Sequence, residues 1–145
     1  MSITVYTDGA CKGNPGPGGW AWVTAPDGDR HGSGGEARTT NQRMELLAAL
    51  EACRAFPDGE LTIVSDSRYL VDCFDKRWWA GWQRRDWVAS TGGPVKNQDL
   101  WRPLIEIALP RKVRFEWVKG HSGHPLNELA DQYAVAAAAT FGGAR

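Results

Sequence analysis

Two short apolar runs, Ile3–Thr7 and Leu61–Ser65, each stop at an aspartate, Asp8 and Asp66. Both are rich in β-branched residues and flanked by turn formers, so each reads as a strand. The span between them holds a loop, Gly9–Gly19, with five Gly and two Pro, then strand-like stretches at 20–25 and 31–38 separated by a Pro26-Asp27-Gly28 turn. A helix follows from a cap at Thr40 or Asn41 to about Ala55, with Met44, Leu47, Ala48 and Leu50 at helical spacing. Beyond Asp66 the pattern predicts a short helix to Asp75, a helix over 97–108, a strand over 113–118 and an Ala-rich helix over 126–140. This order predicts an α/β domain. Its sheet is mixed, an antiparallel meander joined to parallel strands, with helices flanking it.

In such a sheet, ligands gather beyond the carboxyl ends of the strands. If the two Asp-terminated strands are parallel neighbours, about 4.8 Å apart, Asp8 and Asp66 stand side by side. Two like charges so close need a cation or a shared proton. Glu45 lies in the first turns of the first long helix, among Met44, Leu46 and Leu47, and Asp131 lies in the last helix between Ala130 and Tyr133. A carboxylate in such a setting costs free energy unless it is paired. Oxygen-only ligands suit hard cations such as Mg²⁺ or Mn²⁺, not zinc. Two such ions about 3.5–4 Å apart form the clamp used in phosphodiester cleavage. Blander roles exist for each residue. A strand-end Asp can form a turn, Glu45 can stabilise its helix N-terminus, and Asp131 can be an exposed helix residue. Spacing alone leaves these open.

The residues around the acids carry a resemblance. Tyr6-Thr7-Asp8-Gly9-Ala10-Cys11-Lys12-Gly13-Asn14-Pro15-Gly16-Pro17-Gly18-Gly19-Trp20 resembles the opening signature of type 1 ribonuclease H, the bacterial ribonuclease HI family. Thr39-Thr40-Asn41-Gln42-Arg43-Met44-Glu45-Leu46 resembles its second motif, and Ser65-Asp66-Ser67 with Tyr69 its third. Trp117 to Pro125, followed by Asn127 and Asp131, resembles the fourth. The match runs in the family's order from about residue 2 to 140.

The resemblance implies a ribonuclease H-like fold with a five-stranded mixed sheet, and an endonuclease that cuts the RNA strand of an RNA/DNA hybrid to leave 5′-phosphate and 3′-hydroxyl ends. It implies two Mg²⁺ ions, with Mn²⁺ a substitute, on Asp8, Glu45, Asp66 and Asp131. His121, in the loop before the last helix, matches a mobile histidine that serves proton transfer or product release. Cys11, Asn14, Asn41 and Gln42 match residues along the minor groove, where 2′-hydroxyls distinguish RNA. Thr40, Asn14 and Arg43 match residues at or near a DNA phosphate. Residues 76–96 match a basic protrusion. There Trp82 is a candidate for a DNA sugar or base, and Arg84 and Arg85 are candidates for phosphates. Packing onto the body is the plainer role for its tryptophans. Arg68 departs from the family pattern, where a shorter polar residue such as Gln is expected.

Charge and composition set the remaining expectations. Residues 76–114 hold nine Lys/Arg against three Asp/Glu, a net +6 that the rest of this neutral chain balances. Such a stretch suits a polyanion, although an unevenly charged solvated surface looks the same. Hydrophobic residues at 42% and charged residues at 23% exclude global disorder. No run of 18 apolar residues predicts a membrane span, and no signal peptide is expected at the N-terminus. Three cysteines suggest a reducing cytoplasm rather than a disulfide framework. The expectation is one domain over 1–145, a monomer without an obligate protein partner, with a frayed tail at 142–145. Rival readings are a non-catalytic hybrid-binding domain on the same fold, or a relative of transposases and junction resolvases. The full carboxylate set and His121 favour the enzyme over the binder. The Lys119–Pro125 loop and the Trp/Arg protrusion argue against a resolvase.

Overall fold

The structure is a computed structural model and describes residues 2–142. Three antiparallel strands open the chain: β1 (Ser2–Cys11), β2 (Gly16–Thr24) and β3 (His31–Thr39). Helix α1 (Asn41–Ala55) follows, then β4 (Glu60–Ser65), α2 (Arg68–Asp75), α3 (Trp78–Arg84), α4 (Gln98–Arg111), β5 (Arg114–Trp117) and α5 (Pro125–Gly142). The sheet order is β3-β2-β1-β4-β5, with β1, β4 and β5 parallel. The five-stranded mixed sheet expected from the sequence is therefore present. Strand β1 runs three residues beyond Asp8, because Asp8 to Cys11 go on pairing with Ala21 to Gly18 of β2.

Side chains alternate across a strand, and here the alternation sorts the helices. A Cβ at Gly9 would meet Met44 and Glu45 of α1, whereas one at Gly19 would meet Ala134, Ala137 and Ala138 of α5. Gly9 pairs with Trp20, and Ala10 pairs with Gly19. The Val5, Thr7 and Gly9 face therefore looks to α1, and the Tyr6, Asp8 and Ala10 face looks to α5. Beneath α1 lies the main core, with Val5, Trp22, Leu46, Leu50, Ile63, Leu70, Trp101 and Leu104 among its buried members. Thr40 caps α1 by accepting the Arg43 N–H at 3.2 Å, and Ser67 caps α2 by accepting the Leu70 N–H at 3.2 Å.

Helix α4 runs to Arg111, three residues past its expected end. It does so with two prolines, Pro103 and Pro110, inside it. Trp117 has 39% of its surface exposed, since β5 is a four-residue edge strand. Of the tail expected to fray, Gly142 ends α5 and residues 143–145 lie outside the described residues.

Candidate active site

The parallel register pairs Thr7 with Ser65 and so brings the next residues, Asp8 and Asp66, to neighbouring strand ends. Glu45 joins them across Gly9. An added Cβ at Gly9 would lie 2.5 Å from the Glu45 nitrogen and 2.6 Å from the Met44 carbonyl carbon, so only glycine lets the first turn of α1 rest there. One carboxylate oxygen each of Asp8, Glu45 and Asp66 lie within 4.8 Å of one another. Asp131 is outside this trio but close enough to act on Asp8 from α5, the helix its face of β1 looks to.

The electrostatics are those of an uncompensated acidic cluster. Among the described residues no Lys or Arg forms an ion pair with any of the four carboxylates. Burial, then the charge of Asp66, pushes Asp8 up to about 8, although its Oδ1 accepts the Gly9 N–H at 2.9 Å. Burial, then Asp8 and Asp66, holds Glu45 well above the usual carboxylate range. Glu45 is half-buried as a residue, but its Oε1 is fully buried with no hydrogen-bond partner. Three clustered carboxylates, one with a buried and unpartnered oxygen, are a donor set that fits a hard divalent cation.

Three contacts around Asp66 were not read from the sequence. Asn127, buried in the first turns of α5, donates its Nδ2 to Asp66 Oδ2 at 3.4 Å. Gly120 lies so close that an added Cβ would be 2.6 Å from the same oxygen. Trp117 donates its Nε1–H to the Asp66 backbone carbonyl at 3.1 Å. For Asn127 the signal was present, since an amide between Leu126 and Leu129 on a core helix needs a partner. His121 is exposed on the neighbouring loop, with φ of 54°.

The residues expected to meet the hybrid fall into two groups. On one flank the β1–β2 loop is tied to the start of α1, because Asn14 Oδ1 accepts the Asn41 N–H at 3.0 Å. Asn14, Asn41 and Gln42 are exposed there, and Thr40 is half-buried in its cap. Cys11 Sγ lies 2.9 Å from the Gly13 carbonyl and 3.3 Å from that of Thr39, so this thiol is turned onto the loop itself. Arg43 is engaged: its two terminal nitrogens reach Asp99 at 2.9 and 2.7 Å, and Asn97 Oδ1 accepts at 3.3 Å.

The second group is α3 and the following turn. Trp82 is half-buried and packed, its ring centroid 5.3 Å from Trp101, 5.8 Å from Trp87 and 6.2 Å from Trp78. Trp101 in turn donates to the Tyr69 hydroxyl at 2.9 Å. The tryptophans seat the protrusion on the body and leave Arg84 and Arg85 exposed, lining with Lys76 and Arg77 a cavity of about 620 Å³.

The sequence and the fold are shared with known proteins. A family model described as RNase H matches residues 1–139. Ribonuclease H of Nitratidesulfovibrio vulgaris (strain DP4) is 49% identical over 144 residues, covering 98% of this chain and 92% of that protein. Ribonuclease H of Dinoroseobacter shibae is 52% identical over 146 residues, covering 96% and 92%. The crystal structure of LC9-RNase H1, a type 1 RNase H with the type 2 active-site motif, superposes with a TM-score of 0.82 at 34% identity, covering 96% of this chain and 72% of that one. With a family match over nearly its whole length and relatives near half identity, the chain belongs to the RNase H family.

Proposed function

We propose that this protein is a ribonuclease H, a metal-dependent endonuclease that hydrolyses the RNA strand of RNA/DNA hybrids and leaves 5′-phosphate and 3′-hydroxyl ends. The observation that carries the reading is the trio Asp8, Glu45 and Asp66, with oxygens within 4.8 Å of one another, no ion-pair partner and one buried orphan oxygen. Family membership and relatives named ribonuclease H support it.

In this reading Asp8, Glu45, Asp66 and Asp131 hold two Mg²⁺ ions, with Mn²⁺ able to replace them. Bound there, the ions would supply an activated water for attack at phosphorus and charge stabilisation for the leaving oxygen. The protein's own contribution is to fix the ligands. Gly9 brings Glu45 to Asp8, Asn127 holds one oxygen of Asp66, and Gly120 leaves that oxygen room. His121, exposed on its loop, exchanges a proton with the product side or assists product release. Cys11, Asn14, Asn41 and Gln42 form the groove-facing edge, mainly through the loop backbone at Cys11. Thr40 and Arg43 approach a DNA phosphate. Arg84 and Arg85 take DNA-strand phosphates, and Trp82 supports them and presents an edge to the strand.

The domain spans 1–145 with the protrusion at 76–96. It acts as a monomer on hybrid, in a reducing cytoplasm consistent with three free cysteines. No helix of the described residues is long and apolar enough to cross a membrane.

The direct test is a 5′-labelled RNA annealed to DNA, incubated with the protein in Mg²⁺ and in EDTA, with duplex DNA and duplex RNA alongside. The expected result is internal cuts in the hybrid's RNA with Mg²⁺ only. Tight hybrid binding without cleavage, in Mg²⁺ and in Mn²⁺, would instead make the protein a hybrid-binding module.

A further inference from the structure

Arg68 stands where local electrostatics disfavours a cation. It is the first residue of α2, two positions after Asp66, at the end of a helix that carries partial positive charge. It is exposed, and among the described residues it pairs with no carboxylate. Its guanidinium instead lies over the Trp117 ring, with Cζ 4.0 Å from the ring centroid. Trp117 is fixed in turn by the hydrogen bond from its Nε1 to the Asp66 carbonyl. A 39%-exposed indole therefore serves as the shelf for an exposed cation, and the shelf hangs from the residue whose carboxylate belongs to the acidic trio.

A guanidinium held over a ring by a cation–π contact commits none of its N–H donors to an acceptor, so they stay free. Its rotamers are already restricted, so less freedom is lost when it meets an anion. The pair sits on the β4–β5 side of the carboxylates, across from the Asn14–Asn41 edge. The carboxylates themselves repel a phosphate unless cations intervene, and Arg68 is the nearest cation in sequence beyond Asp66 on that side.

We propose that Arg68, held on Trp117, is a substrate-positioning residue that binds an RNA-strand phosphate flanking the scissile one. The inference rests on the hydrolase reading above: if the cut phosphate lies on the carboxylates, the same strand must leave the site past Asp66, over the Arg68–Trp117 rim. The contact is to the backbone, so it adds affinity and register without sequence preference.

The test compares Arg68→Ala and Arg68→Lys with the parent for KM and kcat at several salt concentrations. Hybrid affinity is then measured in an Asp66→Asn background, using hybrids that carry single methylphosphonates along the RNA strand. Arg68→Ala is expected to raise KM roughly three- to tenfold with kcat within about twofold, and to lower the salt slope of binding by roughly one. Arg68→Lys should recover little, because an ammonium cannot lie on the indole as a planar fork. One neutralised RNA phosphate beside the scissile position should weaken the parent and leave Arg68→Ala unchanged. An unaltered KM and salt slope, in a parent that cuts hybrid, overturns the rim contact and leaves the hydrolase reading intact. A parent that cuts nothing but shows the Arg68-dependent slope and methylphosphonate effect supports the contact and overturns the hydrolase reading. Absence of hybrid binding overturns both.

Discussion

Gly9 makes Asp8 a neighbour of Glu45, and a single methyl group tests it. In Gly9→Ala the new Cβ would sit 2.5 Å from the Glu45 nitrogen, against backbone that cannot step aside without lifting the start of α1. Overpacking of this kind costs about 1–3 kcal/mol, and the lift carries Glu45 away from Asp8. Thermal denaturation should show the loss of stability, and hybrid cleavage should fall more than the loss of folded protein explains. Unchanged melting and activity would mean that α1 has slack at this point. Asp66→Asn isolates charge from shape. Cleavage should disappear while hybrid affinity stays within a few-fold, because the phosphate contacts are elsewhere; normal turnover in that variant would remove Asp66 from the ligand set. Asp8 and Asp66 were legible because each ends an apolar run, a signal contained in a few adjacent residues. For Asn127 the need of a partner was readable but not which partner, and Gly120 gave no signal, since what matters is their approach to Asp66 from 61 and 54 positions away.

At the scale of elements, periodicity and turn formers located α1 and the parallel pair β1–β4 well. They failed at β1's end, where pairing with β2 decides the length. The resemblance placed residues 76–96 in a protrusion, but their path was not readable. Their course depends on left-handed backbone at Arg77, Asp86 and Trp87 and on ring contacts to Trp101, none of which a spacing rule anticipates. That architecture divides labour: indoles anchor, guanidinia face out. Arg84→Ala with Arg85→Ala should therefore leave the melting temperature nearly unchanged, since exposed charges contribute little to stability. The same variant should raise KM and flatten its dependence on salt. An unchanged KM from low to high salt would take α3 out of the binding surface.

For the molecule as a whole, the acidic cluster is a store of electrostatic strain that fold and cation share. Asp8 releases its proton near 3.8 when free of the fold and near 8 within it, because burial and the neighbouring carboxylates oppose its charge. Between those values the unfolded chain binds fewer protons than the folded one, so stability falls as pH rises. The contribution is fully present below about pH 4 and is lost as pH climbs through about 8. Glu45 is raised by the same causes and acts in the same direction. Asp99 is lowered by Arg43, so its contribution is lost only as pH falls below the ordinary carboxylate range; its exposure keeps that contribution small. A divalent cation reverses the high-pH loss, since it binds the ionised form and stabilises the folded state by mass action. Melting temperatures followed from pH 5 to 9 in EDTA should therefore decline, and added Mg²⁺ should raise them most at the alkaline end. Asp8→Asn should flatten the decline in EDTA and shrink the Mg²⁺ effect. Melting that rises with pH across this window without metal would show that the trio ionises freely, and would remove the strain that makes these carboxylates a cation site.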